Sequence, residues 1–174
     1  MNAAFTSTIC LAASLVAGSA VAAQDAASVA RAFADNCFNP RLTAVTAQEK
    51  LGPSGARIDF YDLDPFTSAA PSPLTGRAQT QGTDRRCETA FNGFDPQIAM
   101  HWVQTGLVQE GLADKVTDIP DAFPLMEGNI FAAAAQLNPN RIAIVQVGIR
   151  ETAQGGQETY MNLERLTPLD EATQ

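Results

Sequence analysis

Two cysteines constrain the fold of this chain more than any other feature. Cys87 lies in the segment DRRCETAF, residues 84–91, where apolar and polar side chains alternate as in a strand with one buried face. Cys37 lies near the end of DAASVARAFADNCFN, residues 25–39, where apolar residues recur at the spacing of an amphipathic helix. Both cysteines fall on the apolar side of their element. We therefore expect the first helix to pack against this strand where the two cysteines meet.

The first 23 residues determine whether this pair is oxidised. They carry no charged side chain, and small residues surround Ala22 and Ala23, a pattern typical of a secretory signal peptide. Cleavage after Ala22 or Ala23 removes Cys10 and leaves two cysteines, which an oxidising compartment favours as a disulfide. The alternatives are a retained membrane anchor and two separate buried thiols. We predict a signal peptide over 1–23 and a single globular domain over 24–174.

An excess of acidic residues makes anionic binding partners unfavourable. The chain has 19 acidic and 11 basic residues, and its formal net charge of −8 disfavours nucleic acid and anionic lipid. No apolar run after residue 23 is long enough to cross a membrane. Together with the signal-peptide pattern, this indicates a periplasmic or secreted protein. The sequence contains no glycine-rich phosphate-binding motif and too few cysteine and histidine residues for a structural zinc site. We therefore predict no cofactor and no metal ion.

The remaining pattern predicts an α+β fold. Its elements are helices at 25–39 and 43–51, strands at 56–63 and 85–91, a helix at 95–109, and strands at 130–137, 141–149 and 158–166. Short turn signals between the last strands favour antiparallel pairing. We predict a single antiparallel sheet of about five strands with helices packed mainly on one face, in the order α-α-β-β-α-β-β-β. Residues 64–77 and 113–128 are predicted loops.

Three arginines form the most distinctive local charge. Arg77, Arg85 and Arg86 are opposed nearby only by Asp84. Guanidinium groups suit carboxylates and phosphates, so we predict a contact with an anion or with a partner here. The alternative is an edge strand protected by charge.

Candidate catalytic groups are sparse. His101 is the only histidine, and no nucleophile motif accompanies it. Asp59, Asp62 and Asp64 have the spacing D-x-x-D-x-D, which differs from the calcium-loop pattern and equally fits solvated carboxylates at the end of a strand. We assign no catalytic residue. The sequence favours a non-enzymatic module that binds another protein or a small envelope ligand, and the alternative is a small envelope hydrolase that uses His101 or an acidic pair.

Overall fold

The computed structural model describes residues 25–62, 80 and 82–167, and the signal segment and the 64–77 loop predicted from the sequence lie outside them. The helices are α1 (Ala26–Asn36), α2 (Ala44–Leu51) and α3 (Pro96–Gln109). The strands are β1 (Arg57–Asp62), β2 (Thr83–Asn92), β3 (Val116–Thr117), β4 (Asn129–Asn138), β5 (Arg141–Glu151) and β6 (Gln157–Leu166). This is the α+β class that the sequence predicted. Within the described residues, no helix is both long and apolar enough to span a membrane.

The strands form one antiparallel sheet in the spatial order β1-β2-β6-β5-β4-β3. The prediction of about five strands was one short, and the order along the chain is α-α-β-β-α-β-β-β-β. The missed strand is β3, which pairs its two residues with Ala134 and Ala135 of β4. Two residues are too few to show alternation in a sequence, so the 113–128 segment was assigned entirely to a loop.

The helices begin at side-chain caps. Asp95 accepts a hydrogen bond from the backbone N–H of Ile98 at 3.2 Å, and Pro96 follows at the first position of α3. Thr43 forms a reciprocal capping box with Thr46 at the start of α2. These local bonds fix where α2 and α3 begin.

The helices pack on one face of the sheet, which we call the helix-side face. The largest fully buried apolar side chains between the helices and this face include Phe33, Phe38, Phe60, Phe91 and Met161. The helices α1 and α3 cross closely at Gly106, where a Cβ atom would lie 2.4 Å from Cε2 of Phe38. A larger residue at this position would push α3 away from α1.

A disulfide joins this layer to the sheet. Cys37, just after α1, and Cys87 of β2 are both fully buried, and their Cα atoms lie 5.5 Å apart in the bonded pair. The structure thus places at disulfide distance the two cysteines that the sequence paired. The bond spans a sequence separation of 50 residues, for which loop-closure entropy gives a stabilisation of about 4 kcal/mol.

The segment 118–128 crosses the opposite face of the sheet. Phe123 of this segment packs with Ile142 and Ile144, which lie near the start of β5. Further along, the backbone N–H of Met126 donates to Oε1 of Gln146 at 2.9 Å, and the hydroxyl of Tyr160 donates to the carbonyl of Glu127 at 3.1 Å. The loop that follows β3 is therefore fixed to the sheet by side chains of β5 and β6.

Candidate functional site

The sheet face opposite the helices, which we call the polar face, carries charged, amide and hydroxyl side chains on four neighbouring strands. They are Arg57 and Asp59 of β1, Thr83, Arg86 and Glu88 of β2, Gln146 and Arg150 of β5, and Glu158, Tyr160, Asn162 and Glu164 of β6. Most of them are buried. Buried charges are costly unless they are paired and hydrogen-bonded, so the partners of each group determine what this face can do.

One ion pair joins the two strands at the sheet edge. Nη2 of Arg86 lies 2.9 Å from Oδ2 of Asp59, and the two side chains are 1% and 6% exposed. The pair lies on neighbouring strands, because β1 and β2 are adjacent in the sheet. The guanidinium of Arg86 is therefore already engaged by a carboxylate of its own sheet.

A second guanidinium gathers two carboxylates. Nη2 of Arg150 lies 2.6 Å from Oε1 of Glu88, and its Nε lies 2.6 Å from Oε1 of Glu158. Glu158 is also bound by Arg57, which in turn donates to Oδ1 of Asn92 at 2.8 Å. Burial lowers the pKa of the Arg57 guanidinium below its ordinary value, and the neighbouring charge of Arg150 lowers it further.

Glu164 differs from these carboxylates. It is 2% exposed, and it accepts hydrogen bonds from the hydroxyl of Thr83 at 2.7 Å and from Nδ2 of Asn162 at 3.2 Å. Both donors are neutral. In the part of the chain that the structure describes, no cation lies in ion-pair contact with Glu164. Glu164 is thus a buried carboxylate held by hydrogen bonds alone.

Two amide atoms beside Glu164 lack partners. Among residues 25–62, 80 and 82–167, Nε2 of Gln146 and Oδ1 of Asn162 make no hydrogen bond, although both side chains are fully buried. Gln146 and Asn162 are directly opposite each other on β5 and β6. Unsatisfied buried polar atoms are uncommon in folded proteins. The centre of the polar face therefore has unused hydrogen-bonding capacity.

A pocket of ≈ 340 Å³ opens on this face. Its charged lining groups are Arg86, Arg150, Glu127 and Glu164, and residues 124–126 add an apolar wall. The segment 118–128 and the sheet thus form the pocket together. Its size suits a small molecule or one side chain of a partner.

The predicted arginine patch is divided between the two faces. Arg85 points to the helix side, where its Nε and Nη2 contact the carboxylate of Asp62 at 3.1 and 3.0 Å. Arg86 points to the polar face, and Arg77 lies outside the described residues. The two described arginines therefore do not form one surface, and the contact with an anion or partner stays a prediction.

His101 lies on the exposed side of α3. Its ring stacks edge-on against Trp102 with centroids 5.6 Å apart, and the shallow depression beside it is lined by residues of α3 alone. Asp59 and Asp62 point to opposite faces of β1, and Asp64 lies outside the described residues. Of the residues that the structure describes, no three His, Cys, Asp or Glu side chains are arranged to hold a metal ion.

Sequence reasoning missed the polar face as a site. In β6, Thr159, Met161 and Leu163 alternate with Glu158, Tyr160 and Asn162, and this pattern alone does not show what covers the polar side. A signal was present in β5, where Gln146 interrupts a strand that is otherwise apolar on both faces. A polar residue in a doubly covered strand needs partners on its neighbours, and this requirement points to a buried polar layer.

Comparisons with known proteins give no evidence about the role of this site. No protein-family model matches the chain. No curated protein and no solved structure matches it either.

Proposed function

We propose that the protein is an exported, disulfide-braced module that binds another protein or a small envelope ligand at the polar face of its sheet. The observation that carries this proposal is the pocket of ≈ 340 Å³ whose walls combine fixed charges with an apolar stretch. Ligand sites commonly place a few oriented polar groups in such a cavity. Ion pairs between the strands hold those groups in position before a ligand arrives.

Binding fits the described residues better than catalysis does. A general base must lie within hydrogen-bonding reach of the proton that it removes, and His101 is exposed on a helix on the other side of the sheet from the pocket. Arg150 holds Glu88 and Glu158 together. This acidic pair is the one observation in favour of the alternative, a small envelope hydrolase.

Affinity capture with mild crosslinking from the periplasmic fraction tests the proposal. Wild-type protein and an Arg31→Met control, altered on the exposed outer side of α1, should recover the same partner or ligand. Leu125→Ser should reduce this recovery, because the change removes part of the apolar wall of the pocket, and Leu125 is exposed, so the fold should be preserved. Equal recovery with all three proteins would contradict binding at this face. Turnover of a cell-wall substrate that is lost in Glu88→Gln or His101→Ala would establish the hydrolase instead.

Export is tested separately by mass. Protein recovered from the periplasm should have an intact mass that corresponds to cleavage after Ala22 or Ala23. A full-length mass in the membrane fraction would contradict cleavage and support the retained anchor.

A further inference from the structure

We propose that the pocket on the polar face binds a small organic cation, an aliphatic ammonium or guanidinium, through the carboxylate of Glu164. This inference rests on the proposed binding function and adds the class of ligand. Its first support is the balance of formal charge around the pocket. Among residues 25–62, 80 and 82–167, two arginines and two glutamates line the pocket, and the arginines are bound to carboxylates beside it. Together with Arg57, the described charged groups of the polar face and the pocket have a net charge of −2: Arg57, Arg86, Arg150, Asp59, Glu88, Glu127, Glu158 and Glu164.

The arginines are the groups that an anionic ligand would need, and their charges are already compensated. Arg86 is bound to Asp59 at 2.9 Å. Arg150 is bound to two glutamates, each at 2.6 Å. An anion entering the pocket would have to displace these carboxylates or lie beside them, and like charges in a partly buried site repel each other strongly.

Glu164 presents the opposite situation. It is nearly fully buried and lines the pocket, and its hydrogen bonds come only from neutral groups, Thr83 and Asn162. Oδ1 of Asn162, on the same amide, is an acceptor without a partner among the described residues. An ammonium group has three donors and no acceptor. One such group can therefore donate to the Glu164 carboxylate, which lines the pocket.

The wall of the pocket selects the rest of the ligand. Pro124, Leu125 and Met126 form its apolar side, and the exposed carboxylate of Glu127 follows them. A short methylene chain fits such a wall, and a second cationic group at its far end would meet Glu127. The volume of ≈ 340 Å³ accommodates a diamine or a single lysine-like or arginine-like side chain.

Three probes of matched size test the ligand class by calorimetric titration. They are 1,4-diaminobutane, the neutral 1,4-butanediol and the dianionic succinate. Wild-type protein should bind the diamine, and the diol and succinate should bind at least about tenfold more weakly, since hydrogen bonds to charged groups are about twice as strong as neutral ones. Glu164→Gln keeps the size of the side chain and should weaken diamine binding about tenfold or more. Glu110→Gln, at the exposed end of α3 on the other side of the sheet, should leave it unchanged.

If Glu164→Gln does not fold, Glu127→Gln provides a second test. This residue is exposed on the 118–128 segment, so its replacement should preserve the fold and weaken diamine binding a few fold. Backbone amide shifts in the NMR spectrum on adding diamine should centre on residues 125–127. Succinate binding in preference to the diamine, or binding of no probe at all, would overturn the cation site. Neither result would contradict the proposed binding function if capture from the periplasm still depends on Leu125.

Discussion

The two faces of the sheet are built from the same strands but stabilised by opposite means. On the helix-side face, phenylalanine, valine and methionine side chains meet α1 and α3, and a disulfide fixes the contact. On the polar face, successive residues of the same strands carry arginines, carboxylates and amides that are nearly as deeply buried. Because side chains alternate along a strand, one sequence can build two layers with different tasks.

The two layers contribute differently to folding. Burial of a Phe or Met side chain stabilises by about 1.5–3 kcal/mol each relative to exposure. A buried ion pair instead loses most of its Coulomb attraction to the desolvation of both charges, so that it is often close to neutral against an apolar pair of the same volume. We infer that the helix-side face supplies most of the stability, and that the polar face serves recognition.

Breaking the ion pair between Arg86 and Asp59 on the polar face should destabilise the protein more than any other change proposed below. Arg86→Met removes the ion pair that the buried Asp59 carboxylate makes at 2.9 Å and should lower the free energy of unfolding by about 3–5 kcal/mol. Adding Asp59→Leu should restore most of that loss, because the two apolar side chains then pack together. Urea unfolding of both variants measures the difference. A double variant that is as unstable as the single one would mean that the ion pair itself stabilises the fold.

The disulfide tests the other face. Replacing Cys37 and Cys87 together by Ala should lower the free energy of unfolding by about 2–5 kcal/mol. Wild-type protein unfolded in urea with a reductant should show a similar loss, and the variant should show no response to the reductant. Equal stability of wild-type protein with and without reductant would indicate that the cysteines are not bonded in solution.

Sequence patterns predicted the helix-side face well, for a local reason. The positions of Cys37 and Cys87 relative to the apolar pattern indicated which element faces which, because both periodicities are visible within a few residues. The caps of α2 and α3 are also local. The fold class and the antiparallel hairpins followed from these patterns.

The polar face could not be predicted in the same way. Glu88 and Glu158 are about seventy positions apart in the sequence, and they meet at Arg150 only because β6 lies between β2 and β5. The sequence neighbours of a charged residue do not reveal whether another segment covers it. The 118–128 segment, which was predicted as an irregular loop, supplies part of that cover.

The close crossing of α1 and α3 depends on packing alone, without charged groups. In Gly106→Ala the new Cβ would lie 2.4 Å from the Phe38 ring and 3.3 Å from Cα of Ala34, so the helices must separate. Overpacking of this kind typically costs about 1–3 kcal/mol, and the higher helix propensity of Ala offsets up to about 1 kcal/mol. We expect a net loss of about 1–2 kcal/mol in urea unfolding. Gln104→Ala, exposed on the same helix, should cause no loss.

The carboxylate of Asp84, near the beginning of β2, should make a small pH-dependent contribution to stability. Oδ2 of Asp84 lies 2.9 Å from Nη2 of Arg141, yet burial raises the pKa of Asp84 above its ordinary value of 3.8. The nearby guanidinium groups of Arg141, Arg85 and Arg165 oppose this rise without cancelling it. Desolvation of the Asp84 carboxylate therefore outweighs its ion pair with Arg141.

A raised pKa fixes the sign of the pH dependence. Between 3.8 and the pKa in the folded protein, the folded state binds the Asp84 proton more tightly than the unfolded chain does. The contribution of Asp84 to stability is therefore fully present below pH 3.8 and is lost as the pH rises through the folded pKa. The Asp84→Asn variant lacks this titrating group and should not show the loss. Its free energy of unfolding relative to that of wild type should therefore rise with pH over the same interval, by no more than about 1 kcal/mol. Urea unfolding at closely spaced pH values measures the difference, with Asp114→Asn as the exposed control. A relative stability of Asp84→Asn that instead falls with rising pH would mean that the bond to Arg141 outweighs desolvation.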